Sequence, residues 1–135
     1  MIRFQDLKVG DHVMAEFEGQ WTGGEIAELN REDKEVCVRA HGGSEYWYKP
    51  EELRGIPLTD EQLASLGFTK ESDTDGPVKY KKGAFRILLS QKDDFQEFEM
   101  WYREDRRHMK GPISVHQLQN HYHDMTKIHL TTEVA

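Results

Sequence analysis

Residues 7–53 read LKVGDHVMAEFEGQWTGGEIAELNREDKEVCVRAHGGSEYWYKPEEL, and the rhythm of this stretch decides the fold. Gly10-Asp11 makes a turn, after which Val13, Ala15 and Phe17 share one face of a strand over His12–Phe17. Glu18-Gly19-Gln20 turns again, since glycine accepts positive φ. Thr22–Leu29 then carries Ile26 and Leu29 toward a core, and Gly23-Gly24 predicts a bulge or sharp bend within it. Asn30–Lys34 is a polar turn. Val36, Val38 and Ala40 alternate along the next strand, His41-Gly42-Gly43-Ser44 turns, and Glu45–Lys49 is a fourth strand rich in aromatic residues. Pro50-Glu51-Glu52-Leu53 reads as a short helical turn opened by proline. Four short strands at about ten-residue spacing favour a small barrel or sandwich over a βαβ fold. The expected form is an SH3-like barrel over residues 1–55.

Working outward, 135 residues suffice for one domain or for two small ones. There is no run of about 18 apolar residues, so no membrane helix is expected. Met1–Asp6 has no apolar signal-peptide core, and the lone Cys37 can form no internal disulfide. Both point to a reducing, cytoplasmic setting. Cys37 reads as a buried, inert thiol rather than a nucleophile, because no Cys-His motif frames it.

The net charge of −7 argues against a general nucleic-acid binder, which needs a positive field to engage phosphates. Residues 1–70 hold 8 Lys/Arg against 14 Asp/Glu, whereas residues 71–135 hold 10 against 11, so the barrel candidate is the acidic half. The other half contains a basic run, Arg103, Arg106, Arg107 and Lys110, with His108 among them. It reads as a solvated hairpin loop, partly neutralised by Glu104 and Asp105.

Residues 56–135 predict a short helix, an antiparallel β-meander and a C-terminal helix. Thr59 is an N-cap with Gln62 three residues on, and Gly67 ends the helix. Lys70–Gly76 is a polar hairpin tip between Phe68 and Val78. Val78–Lys82, Phe85–Ser90 and Phe95–Arg103 form the meander, with Phe98, Met100 and Tyr102 on one side and Glu97, Glu99 and Trp101 on the other. Gly111-Pro112 breaks it. Ser114 caps a helix along which Val115, Leu118, Tyr122 and Met125 recur at helical spacing. They should lie on the meander. Ile128-His129-Leu130 is read as a terminal strand. The whole is expected to be α+β, mostly β: an N-terminal SH3-like small barrel packed on an antiparallel β-meander with a C-terminal helix.

The segment Ile56-Pro57-Leu58-Thr59-Asp60-Glu61-Gln62-Leu63 with Leu66-Gly67-Phe68, followed by Val115-His116-Gln117-Leu118-Gln119-Asn120, resembles small uncharacterised proteins of Bacteroidetes bacteria and their phages and prophages. In those, a PLT-x-E-x-L-x-x-x-GF segment precedes a strand meander and a VHQLQN helix closes the chain. The resemblance covers roughly residues 56–130. It implies a phage or mobile-element context and brings no catalytic residue with it.

Several groups of residues compete for a functional role. Phe17, Trp21, Tyr46, Trp47 and Tyr48 are the best binding candidates, since aromatic faces at one end of a small barrel hold a cation or a proline-rich segment. The competing reading places them in the joint between the two halves. Alternation already separates Trp47 from Tyr46 and Tyr48. Among the seven histidines, His116, His121 and His123, with Asp124 and His129, suggest a metal site. No His-x-x-x-His or His-Glu-x-x-His spacing supports it, and the competing reading is a polar helix face. Gln117 and Asn120, at i, i+3 spacing, are expected to pin the helix to a neighbouring strand by hydrogen bonds. No nucleophile elbow, phosphate loop or dinucleotide fingerprint occurs. The sequence therefore predicts a non-enzymatic interaction module without cofactor or metal, binding a protein partner of basic character and no membrane. The alternatives are a nucleic-acid accessory factor using the 103–110 run and a small metal protein or enzyme using the C-terminal histidines.

Overall fold

The computed structural model describes residues 2–40, 42–71 and 76–131. His41 of one expected turn and residues 72–75 of the expected polar loop lie outside them. The chain forms two compact units, Met1–Ile56 with Ser114–His121, and Pro57–Ile113 with Tyr122–Ala135. The first thus takes residues 114–121, which the sequence reading gave to the second half.

The first unit is a four-stranded antiparallel sheet, β1 (His12–Phe17), β2 (Gln20–Asn30), β3 (Glu35–Arg39) and β4 (Glu45–Tyr48), ordered as in sequence. Glu18 and Gly19, both at positive φ (49° and 83°), make the tight β1–β2 hairpin, whose twist matches the strands it joins. Leu7, Val13, Ala15, Ile26, Val36, Val38 and Leu53 form the core, with Phe17, Leu29 and Tyr48 partly buried against it. The bulge is not at Gly23-Gly24, through which the β1–β2 register runs unbroken, but between Ile26 and Glu28. Gly24 serves another purpose: a Cβ there would stand 2.6 Å from Val38 Cγ1 and 2.9 Å from the Arg39 carbonyl oxygen, so its absence lets β2 and β3 approach.

The expected barrel does not close. No β4–β1 ladder forms among the described residues. Instead the chain passes through a 3-10 turn, Pro50–Glu52, and Arg54 bridges back to Met14 of β1 with N–H···O distances of 2.7 and 3.0 Å. That bridge occupies the edge of β1 that a closing β4 would need.

The second unit contains helix α1 (Asp60–Ser65) and a five-stranded antiparallel meander, β5 (Thr69–Lys70), β6 (Val78–Lys82), β7 (Phe85–Leu89), β8 (Glu97–Tyr102) and β9 (Asp105–Lys110). Thr59 Oγ1 accepts from the Gln62 N–H at 3.2 Å, and Gly67 at φ 90° ends α1. Phe85 packs on Phe68 and on Tyr122, with ring centroids 5.9 and 4.8 Å apart. The run 103–110, expected as a solvated hairpin loop, is a tight turn followed by a strand. Arg103, at φ 57°, lies in the turn and Asp105–Lys110 form an edge strand. Its charges hid it from hydrophobic patterning, yet charges are what an edge strand carries to discourage further pairing. Ile128–Leu130 form no strand. No described helix is long and apolar enough to cross a membrane.

Helix α2 (Val115–Thr126) supplies residues to both units. Gln117 does not reach a strand; its Oε1 accepts the Ser114 N–H at 2.8 Å, capping its own helix. Asn120 does pin the helix, donating to the Asp6 carbonyl at 2.7 Å and to Asp11 Oδ2 at 3.3 Å. Gln119, fully buried, does so more completely: it accepts from the His12 N–H at 2.8 Å and donates to the Gly10 carbonyl at 2.9 Å.

Candidate binding site

On β4 the side chains alternate, so Tyr46 and Tyr48 share the inner face with Val38 and Val36, their cross-strand partners. On β1, Phe17 continues the inner row of Val13 and Ala15. In a flat sheet β1 and β4 would lie about 14 Å apart, three strand spacings. Yet the Phe17 ring is 5.5 Å from Tyr46 and 5.9 Å from Tyr48, and the Tyr48 hydroxyl donates to the Glu16 carbonyl at 2.7 Å. The sheet therefore coils strongly enough to bring its two edges' aromatic side chains together. Phe17 meets Tyr48 edge-on at 88° and Tyr46 at a tilt of 52°, arrangements favoured by ring quadrupoles.

This cluster is open on one side. Tyr46 is 43% exposed, while Phe17 and Tyr48 are half-buried. Burial, and then the neighbouring Tyr46, Glu16 and Glu52, push the Tyr48 hydroxyl above its ordinary pKa, so it stays a protonated donor. Glu18 follows Phe17 directly in the hairpin. The whole unit, residues 1–56 with 114–121, carries 7 Lys/Arg against 12 Asp/Glu, a net −5. Ring faces in a negative surround attract a cation twice, by the quadrupole and by charge.

The other two aromatic candidates stand elsewhere. Trp47 points to the outer face, 48% exposed, beside its cross-strand partner Cys37. Cys37 is buried, and desolvation raises its thiol pKa ahead of the nearby Glu45 and Glu28. Trp21 is also on the outer face, opposite Glu16, and the Arg54 guanidinium lies 3.9 Å from its ring centre. Its face is already engaged by a cation of its own chain.

The basic set divides as well. Arg107 points inward and bonds Asp105 and Asp124, at 3.2 and 2.7 Å, which raise its pKa. Arg103 lies 5.1 Å over Tyr102. Arg106 and Lys110 share the outer face of the meander. Among the histidines, His116 is buried and exchanges a 2.9 Å hydrogen bond with Ser114 Oγ, whereas His123 stacks on His129 with ring centres 4.4 Å apart. No group of three or more His, Cys, Asp or Glu among the described residues is placed to hold a metal ion.

Sequence reasoning missed the buried carboxylate of Asp11. It accepts from the Lys8 backbone at 3.1 Å and pairs with the Lys8 ammonium, while burial raises its pKa. The pattern Lys-x-x-Asp before a strand offered no signal that the carboxylate turns inward. No family model matches the chain, and no curated protein or solved structure matches it.

Proposed function

We propose that this chain is a non-enzymatic interaction protein whose acidic N-terminal unit binds a basic segment of a partner protein on the Phe17, Tyr46 and Tyr48 rings. The observation that carries this reading is the meeting of those rings across the coiled sheet, with Tyr46 exposed and carboxylates around it. A lysine or arginine side chain of the partner lies against the rings, and the negative surround, in which Glu16 and Glu52 act on Tyr48, attracts its basic neighbours. We also propose that the unit is an SH3-like barrel variant; the 3-10 turn and the Arg54–Met14 bridge support that assignment, because they return the chain to β1 where a fifth barrel strand would run. We further propose, from the resemblance of residues 56–130 to phage and prophage proteins, that the partner is a host or phage protein in the cytoplasm.

A peptide array with Lys/Arg-rich and acidic members of equal length tests the reading. The protein should retain basic peptides, and Tyr46→Ala should weaken retention by about two- to thirtyfold, the range of one cation–π contact of about 0.5–2 kcal/mol. Its thermal midpoint should hardly move, because the ring is on the surface. Equal retention of acidic and basic peptides would remove the proposal.

A further inference from the structure

The register of the meander assembles on its outer face a group of residues scattered over some 30 positions of sequence. Lys81 pairs with Arg86, Arg86 with Trp101, and Trp101 with Arg106, so these four side chains form one row across β6, β7, β8 and β9. At about 4.8 Å per strand the row is roughly 14 Å long. Lys79 lies beside it, its ammonium 5.8 Å from the Trp101 ring centre, and the Arg106 guanidinium is 5.3 Å from that centre on the other strand. Lys81 and Arg106 are exposed; Lys79, Arg86 and Trp101 are half-buried.

Acids stand on this face too. Glu97 and Glu99 flank the His108 ring at 2.6 and 3.7 Å, Glu99 in the row next to that of Trp101 and Glu97 one row further, beside Lys110. Glu71 reaches Lys81 at 3.4 Å. Arg86 is steadied by the Gly83 and Phe85 carbonyls at 2.6 and 3.2 Å. The net result is a flat aromatic ring at the centre of a cationic row, on a sheet whose other face is buried.

We propose that this outer face is a binding platform for single-stranded nucleic acid, with Trp101 stacking a base and Lys79, Lys81, Arg86 and Arg106 holding the phosphates on either side. A base offers the ring a flat π-face and the adjacent backbone offers the row its charge, which is the combination sequence-tolerant single-strand binders use. An acidic peptide would use the cations and leave the ring idle. A bilayer would require a protruding apolar side chain, and the apolar members of this face, Trp101 and Leu88, are half-buried. The acidic balance of the chain as a whole does not oppose such binding at short range, because charges beyond about 10 Å are largely screened at 0.1 M salt.

Fluorescence anisotropy with a labelled oligodeoxythymidine of about 20 nucleotides tests this on the full chain. Binding is expected at low salt of about 0.1 M, where the distant acids are still screened, and four phosphate contacts should give a slope of about −3 in log K against log salt above it, near −0.7 for each contact. Trp101→Ala should weaken binding by about five- to 160-fold, the range for one stacked base. Should that variant not fold, the surface variant Lys81→Gln with Arg106→Gln, checked by circular dichroism, should shallow the slope by about 1.4. The proposal is overturned by no anisotropy rise at low salt, by unchanged affinity in both variants, or by equal binding of a polyglutamate chain or of anionic vesicles.

Discussion

Replacing Gln119 by alanine removes one side chain and strands two backbone groups. The amide accepts from His12 N–H at 2.8 Å and donates to the Gly10 carbonyl at 2.9 Å, and Gln119 is 0% exposed, so no solvent stands ready to replace it. Each buried group left without a partner costs about 1–3 kcal/mol, so Gln119→Ala should destabilise the protein by about 2–6 kcal/mol. Urea unfolding reads this as a midpoint lowered by about 1–3 M at unchanged slope, for a slope of about 2 kcal/mol per molar. Gln119→Glu sharpens the test. An ionised glutamate can accept from His12 but has no proton for the Gly10 carbonyl; a protonated one can do both. Burial raises its pKa above the usual value of about 4.3, so its deficit relative to the parent should be largest near neutrality and shrink as pH falls through that raised value. A Gln119→Ala variant within about 0.5 kcal/mol of the parent would show that the two bonds contribute nothing that water cannot supply.

Two further predictions concern stability. A Cβ at Gly55 would stand 2.7 Å from Ser114 Cβ and 3.4 Å from His116 Cε1, so Gly55→Ala should cost about 1–3 kcal/mol in chemical unfolding, whereas Gly42→Ala, with open space around it, should stay within about 0.5 kcal/mol. His116 is buried, and desolvation lowers its pKa from 6.5, opposed by Asp6 and assisted by Lys8. The unfolded chain therefore takes the proton first: the neutral ring's contribution is complete above about pH 6.5 and is lost as pH falls toward the depressed value. His116→Gln should flatten that part of the stability–pH curve, and an unaltered curve would show that His116 does not control it.

The four hairpin-linked strands were legible because Val13-Ala15-Phe17 and Val36-Val38 alternate and because glycines mark the turns. Helix α1 was legible from Thr59 and Gly67, whose side-chain chemistry and positive φ act locally. β9 was not, since its charged edge carries no hydrophobic period. The coiling that joins Phe17 to Tyr46 was expected only as a closed barrel, which does not form. Alternation tells which face a residue takes, not how far a sheet curls. Gln119 bonds residues 107 and 109 positions away, and nothing local marks such partners. The row Lys81, Arg86, Trp101 and Arg106 exists only once the register of four strands is known. One residue of slip would send each of these side chains to the other face.

The proposed role of the Phe17, Tyr46 and Tyr48 rings is to receive a cationic side chain. The most direct measurement is the aromatic side-chain NMR spectrum during titration with a short Lys/Arg-rich peptide. Saturable shifts are expected, concentrated on the rings of Phe17, Tyr46 and Tyr48, with the midpoint raised about two- to thirtyfold in Tyr46→Ala and raised also by salt. Shifts confined to Trp21 or Trp47, or none on the three rings at saturating peptide, would contradict it.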